Sequence, residues 1–315
     1  MTERMIEVCQ NILEKCLQLQ EKESFLVVTD ETKEELARLI YEAARKIGAE
    51  SILMLMKDRQ RSGEEPPAAI AAAMKGADAV VCITECSLTH TIARKEAVAA
   101  GTRIATMPGI SKDMFLNGAI TADYDEVQKL TYQVKDVLDK GSKVIINKVG
   151  YTFSFSIEGR ESIPSTGVYV NPGESGNLPS GEAFIAPVEG TANGRLLIDG
   201  SVVGIGKINS PIVLTVEKGR LVKAEGEHAE KLLELLGDGL GRSVGEFGIG
   251  TNKSARITGN VLEDEKVYKT VHIAFGSNLT FGGTVEAGVH IDCVFNQPDV
   301  IIDDHIIFEK GILKK

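Results

Sequence analysis

Ser24-Phe25-Leu26-Val27-Val28-Thr29 is the stretch on which the fold turns. Its four central residues are apolar without alternation, the pattern of a short strand covered on both faces. Asp30 stands as a candidate N-cap for a helix from Lys33 to Lys46, and Gly48 sits where a left-handed C-terminal stop belongs. A second strand, Ser51 to Met56, follows directly. Outward from this unit the same rhythm holds. Upstream, Glu7 to Gln20 has helical spacing. Downstream come helix Pro67 to Met74, strand Ala77 to Ile83, helix Thr91 to Ala100, strand Arg103 to Met107 and a closing helix, Asp125 to Lys140. Strands that alternate with helices pair in parallel, because each crossover returns the chain to the same end of the sheet. Residues 1–140 are therefore expected to form an α/β domain with a mostly parallel sheet.

The period changes at Gly141. Short runs rich in β-branched residues follow: Lys143 to Val149, Tyr151 to Ile157, Arg195 to Ile198, Ile212 to Val216 and Arg220 to Ala224. Asp199-Gly200 and Lys218-Gly219 read as hairpin turns, and one helix, Glu227 to Leu236, interrupts. Residues 141–315 are expected to be an α+β domain with a mixed, mostly antiparallel sheet.

Bulk properties narrow the function. A chain of 315 residues accommodates two cores. A net charge of -10 argues against general affinity for nucleic acid or an anionic membrane surface. No apolar run approaches a membrane span, and Met1-Thr2-Glu3-Arg4 does not open a signal peptide. The five cysteines are scattered, and Cys82 and Cys86 lack the second pair that a structural zinc site needs. A cytoplasmic location is the expectation.

Chemistry concentrates in the second half. In His290-Ile291-Asp292 a strand would send an imidazole and a carboxylate from one face. His272 lies in a second apolar strand, Thr270 to Phe275. An unpaired imidazole is costly to bury, so each is either a hydrogen-bonded core histidine or a metal ligand. Two histidines and a carboxylate leave open coordination positions, as catalysis requires, and are also the donor set of non-haem iron oxygenases. A two-metal site needs more carboxylates, and two are placed to serve. Glu182 follows a Gly/Pro/Ser-rich loop, and Glu246 is flanked by Gly245, Gly248 and Gly250. Taken singly, each glutamate has a surface reading. Gly248-Ile249-Gly250-Thr251-Asn252-Lys253 lacks the strand-loop-helix setting of a phosphate loop. Asp303-Asp304-His305 fits a hairpin turn better than a ligand cluster, His228 fits a solvated helix face, and His90 either reaches a substrate or caps the helix carrying Arg94.

Four segments bring a family into view: Ser180 to Gly194, Gly245 to Asn252, and those around His272 and His290-Ile291-Asp292. They resemble the glutamate and histidine motifs of the aminopeptidase T family of leucyl aminopeptidase-like metallopeptidases, in the same chain order. Leu88 to Arg94 is also similar to that family. The resemblance implies a homodimer with an enclosed cavity, and two divalent cations (Zn, Co or Mn) held by Glu182, Glu246, His272, His290 and Asp292. A water activated between the cations would cleave peptides with a free N-terminus. Two departures stand out. Ser277-Asn278-Leu279 occupies a stretch where many members carry a tyrosine, and only seventeen residues separate His272 from His290. A related branch resembles dihydroxypyridine ring-opening dioxygenases, whose mononuclear Fe(II) uses the two histidines and the aspartate. Retention of both glutamates makes the metallo-aminopeptidase, a hydrolase, the first expectation. The dioxygenase is second, and a catalytically idle metal-binding relative third.

Overall fold

The computed structural model describes residues 3–314. Two compact units emerge: Met1–Gln128 with Gly167–Ser180, and Lys129–Thr166 with Gly181–Lys315. The first is an α/β unit. Its five strands are all parallel, in the order Glu50–Met56, Ser24–Asp30, Ala79–Ile83, Arg103–Thr106, Ser175–Asn177. Leu26, Val28, Val80, Cys82 and Ile104 pack beneath helices Ala68–Gly76 and Ile92–Ala99. Helix Glu34–Ile47 ends on Gly48 in the left-handed conformation, as the sequence predicts. Its start differs. Asp30 belongs to the strand and its carboxylate accepts from the Lys33 and Glu85 amides, so the helix begins at Glu34, with Lys33 at the N-cap position and no side-chain cap. Thr91, not His90, caps the Ile92–Ala99 helix, accepting from the Arg94 amide. The opening helical segment divides into an α-helix, Glu3–Gln10, and a π-helical turn, Asn11–Cys16.

The second unit stacks two antiparallel sheets. One has eight strands, in which Tyr151–Ser156 pairs with Lys143–Lys148 and Asn193–Ile198 with Ile212–Glu217. The other has seven strands. At its centre His290–Asn296, Thr270–Gly276, Val244–Gly250 and Glu182–Ile185 lie side by side in that order. Phe155 of the first sheet meets Phe247 of the second edge-on, ring centres 5.2 Å apart, inside a continuous apolar core. Lys218-Gly219 turns a hairpin between Ile212–Glu217 and Arg220–Glu225. Asp199-Gly200 does not. There the chain leaves one sheet for the other, and Ser201–Val202 pairs with His290–Asn296. Asp303 and Asp304 adopt positive φ in the turn between Asp299–Ile302 and His305–Glu309, and His305 is exposed. No helix among the described residues is long and apolar enough to cross a membrane.

Candidate metal centre

Strand periodicity builds the site. Phe247, Ile249, Val271, Ile273, Phe275, Ile291, Cys293 and Phe295 all point into the core of the second unit. Their alternates leave the opposite face of the same sheet. Those alternates are Glu246 and Gly248, His272 and Ala274, His290 and Asp292. Ala183 and Ile185 in the core place Glu182 on the same outer face. Register completes the assembly: Gly250 pairs with Glu182, Gly248 with His272, and Ala274 with both Glu246 and Asp292. All five sequence candidates therefore meet on one patch of sheet.

The distances follow. Glu246 lies between the imidazoles, with Oε1 3.2 Å from His272 Nε2 and Oε2 3.4 Å from His290 Nε2. His290 Nε2 is 3.6 Å from Asp292 Oδ1, and His272 Nε2 is 3.6 Å from Glu182 Oε2. Ligand atoms of Glu246, His290 and Asp292 fall within 4.8 Å of one another. His272 is fully buried, whereas the His290 side chain keeps 32% exposure, so the patch is reached from the His290 side. Nδ1 of His290 bonds to the Ser277 carbonyl at 2.8 Å, which orients Nε2 towards the carboxylates. A side chain on Gly248 would meet His272 Nε2 at 2.0 Å, so glycine is what leaves room for the ring.

The carboxylates of the patch favour positive charge on both imidazoles. Burial opposes charge on His272, but the Glu246 hydrogen bond, with Glu182 and Asp292 beyond it, overrides burial and lifts its pKa to about 9. Desolvation also opposes charge on His290, yet Asp292 and Glu246 hold it well above the ordinary histidine value. Burial works against the Glu246 carboxylate, yet its two imidazole partners bring it down to about 2. Glu182 Oε2, Asp292 Oδ1 and His272 Nδ1 are buried without a hydrogen-bond partner. Orphaned carboxylate oxygens facing imidazole nitrogens are the donor set a divalent cation takes.

Several residues around the patch were not singled out from sequence. Lys266 is completely buried, its Nζ 2.6 Å from Glu182 Oε1 and also bonded to Glu265. Phe281 stands edge-on to His290, ring centres 6.0 Å apart, and edge-on to Phe184 at 5.5 Å. Asn278, fully buried, accepts the Val285 amide at 2.7 Å and donates to Glu189 at 3.2 Å. Ser277 and Asn278 therefore shape the loop leading to His290.

The fold and patch define a two-unit protein with an imidazole–carboxylate centre on an antiparallel sheet. Residues 4–315 match the model of the 2,5-dihydroxypyridine 5,6-dioxygenase family, NicX, and the chain belongs to that family. The 2,5-dihydroxypyridine dioxygenase from Pseudomonas putida KT2440 superimposes with a TM-score of 0.84 at 18% identity, covering 100% of this chain and 98% of that one. Wild-type AmpT from Thermus thermophilus gives 0.73 at 17% identity, with 99% of each chain covered. A comparison with curated protein sequences gives no match. The aminopeptidase expectation, and with it the hydrolase and protease assignment, is overturned by the family match. Likeness to AmpT carries the fold alone.

Proposed function

We propose that this protein is a mononuclear non-haem Fe(II) dioxygenase that opens the ring of a hydroxylated pyridine. The match to the dioxygenase family over nearly the whole chain carries this reading. The donor set supports it, since two imidazoles and one carboxylate with open positions suit Fe(II) in oxygenases. His272, His290 and Asp292 would hold the ion, all three projecting from adjacent strands of one sheet. Bound Fe(II) supplies the redox centre through which dioxygen reacts with an electron-rich ring.

The chain's own residues do the remainder. Glu246 lies as an ionised carboxylate between the two imidazoles and is placed to accept a proton from a ring hydroxyl. Phe281 and Phe184 form an aromatic wall beside the accessible imidazole, against which a flat heteroaromatic ring stacks. The Ser277 carbonyl keeps the His290 ring in the orientation that leaves Nε2 free for the ion.

The test is anaerobic loading with Fe(II), then dioxygen, with a panel of mono- and dihydroxylated pyridines. Expected is uptake of dioxygen in step with loss of the ring's ultraviolet band, abolished in His290→Ala. Iron-loaded, folded protein that leaves every ring intact and consumes no dioxygen would defeat the reading.

A further inference from the structure

We propose that Lys266 occupies the place of a second cation and so restricts this centre to one divalent ion. The proposal rests on the reading that the His272, His290 and Asp292 patch binds such an ion. Three observations carry it. After those residues and Glu246 are assigned, the buried carboxylate of Glu182 and the partly exposed one of Glu265 remain, and the ammonium of Lys266 bonds both. Glu182 turns its other oxygen towards His272 Nε2 at 3.6 Å, so the ammonium sits one carboxylate away from the ion's own donors. That arrangement mirrors a two-cation centre in which a carboxylate lies between the charges, with a fixed side-chain charge standing in for one of them.

The backbone is built to put Lys266 there. It lies between the short helix Val261–Asp264 and the His272 strand, and its carbonyl accepts the Asn252 amide at 2.9 Å. A side chain on Gly250 would run into the Val267 carbonyl oxygen at 2.1 Å and the Lys266 carbonyl carbon at 2.9 Å. Gly250, paired in register with Glu182, thus lets this segment close over the sheet face that carries the carboxylates. A mobile cation entering beside the ammonium would face like charge at short range. It would also find Glu182 already engaged.

The probe is Mn(II) added to the metal-free full-length chain, followed by titration calorimetry and electron paramagnetic resonance. Wild type and Lys266→Arg are expected to take one equivalent with the signal of an isolated ion. Lys266→Met, which keeps the length and removes the charge, is expected to take two equivalents whose signals couple. A folded Lys266→Met chain that still takes one equivalent overturns the proposal. Should that variant fail to fold, Glu182→Gln decides. It should keep one equivalent with affinity within about threefold of wild type, because Glu182 serves the ammonium. Loss of that equivalent overturns the proposal by making Glu182 a ligand of the first ion. If wild type takes no Mn(II), or His290→Ala takes it as well as wild type does, the cation reading itself fails and the proposal with it.

Discussion

Gly248 shows how much of this centre depends on an atom that is missing. Across the ladder from His272, it leaves space that any Cβ would take from the imidazole. Gly248→Ala should therefore displace the ring and weaken divalent-ion binding by roughly tenfold or more, a loss typical of disturbed ligand orientation. Circular dichroism should stay unchanged, and unaltered affinity would refute the account. The protons on the centre make a second prediction. Ion binding needs neutral imidazoles, so it displaces protons from His272, lifted to about 9, and from His290. Affinity should rise with pH from 6.5 towards 9, and calorimetry in buffers of different ionisation enthalpy should show proton release. The sign for stability follows. Because the folded value of His272 lies above the unfolded one, its contribution is full below pH 6.5 and lost as pH rises through about 9. Glu265, pushed up to about 8 by burial, acts in the same direction. The metal-free protein should melt at a lower temperature at pH 9 than at pH 6.5, while the ion-loaded form flattens that slope. Lys266 was invisible in the sequence for a plain reason. Asp264-Glu265-Lys266 reads as a solvated charge run, and a fully buried lysine is the rare outcome that only its partners explain.

At the scale of elements, period-two alternation is both the legible part and the mechanical link. His290 and Asp292 share a face because side chains alternate along a strand, and that was readable from two letters of spacing. Which strands would be neighbours was not. The contiguity of Glu182, Glu246 and His272 depends on pairing between strands far apart in the chain, closed by Gly250 opposite Glu182 and Gly248 opposite His272. Asp199-Gly200 misled because its dipeptide carries hairpin chemistry, whereas Ser201–Val202 found its partner in the other sheet. Ser175–Asn177 went unnoticed as a strand because Ser-Gly-Asn has no apolar residue to reveal it, yet it pairs in parallel with Arg103–Thr106. Each central strand carries core on one face and chemistry on the other, so a core change should be felt at the centre. Phe247 neighbours Glu246 and packs edge-on against Phe155. Phe247→Ala should cost about 3–5 kcal/mol in denaturant unfolding, as for other buried aromatic truncations. It should also weaken ion binding, and full affinity in a destabilised chain would show the two faces to be independent.

For the whole molecule, resemblance to the aminopeptidase T family was a sound guide to architecture and a poor one to reaction. A parallel α/β unit and an antiparallel unit are what AmpT and the Pseudomonas putida dioxygenase both superimpose upon. One scaffold can host unlike chemistries, so the reaction has to be argued from the site and not from the architecture. The placement of His272, His290 and Asp292 has one more consequence, and it concerns motion. These residues come from two neighbouring strands, His272 and Asp292 within the ladder and His290 at its end, so an ion bound to all of them is a rivet through the sheet. Strands so joined cannot part locally without releasing the ion, and opening acquires the binding free energy as an added barrier. Amides of Thr270–Gly276 and His290–Asn296 should then exchange with deuterium only through global unfolding when the ion is present. Removing the ion should restore local exchange in those strands first, leaving the Tyr151–Ser156 and Lys143–Lys148 pair of the facing sheet protected as before.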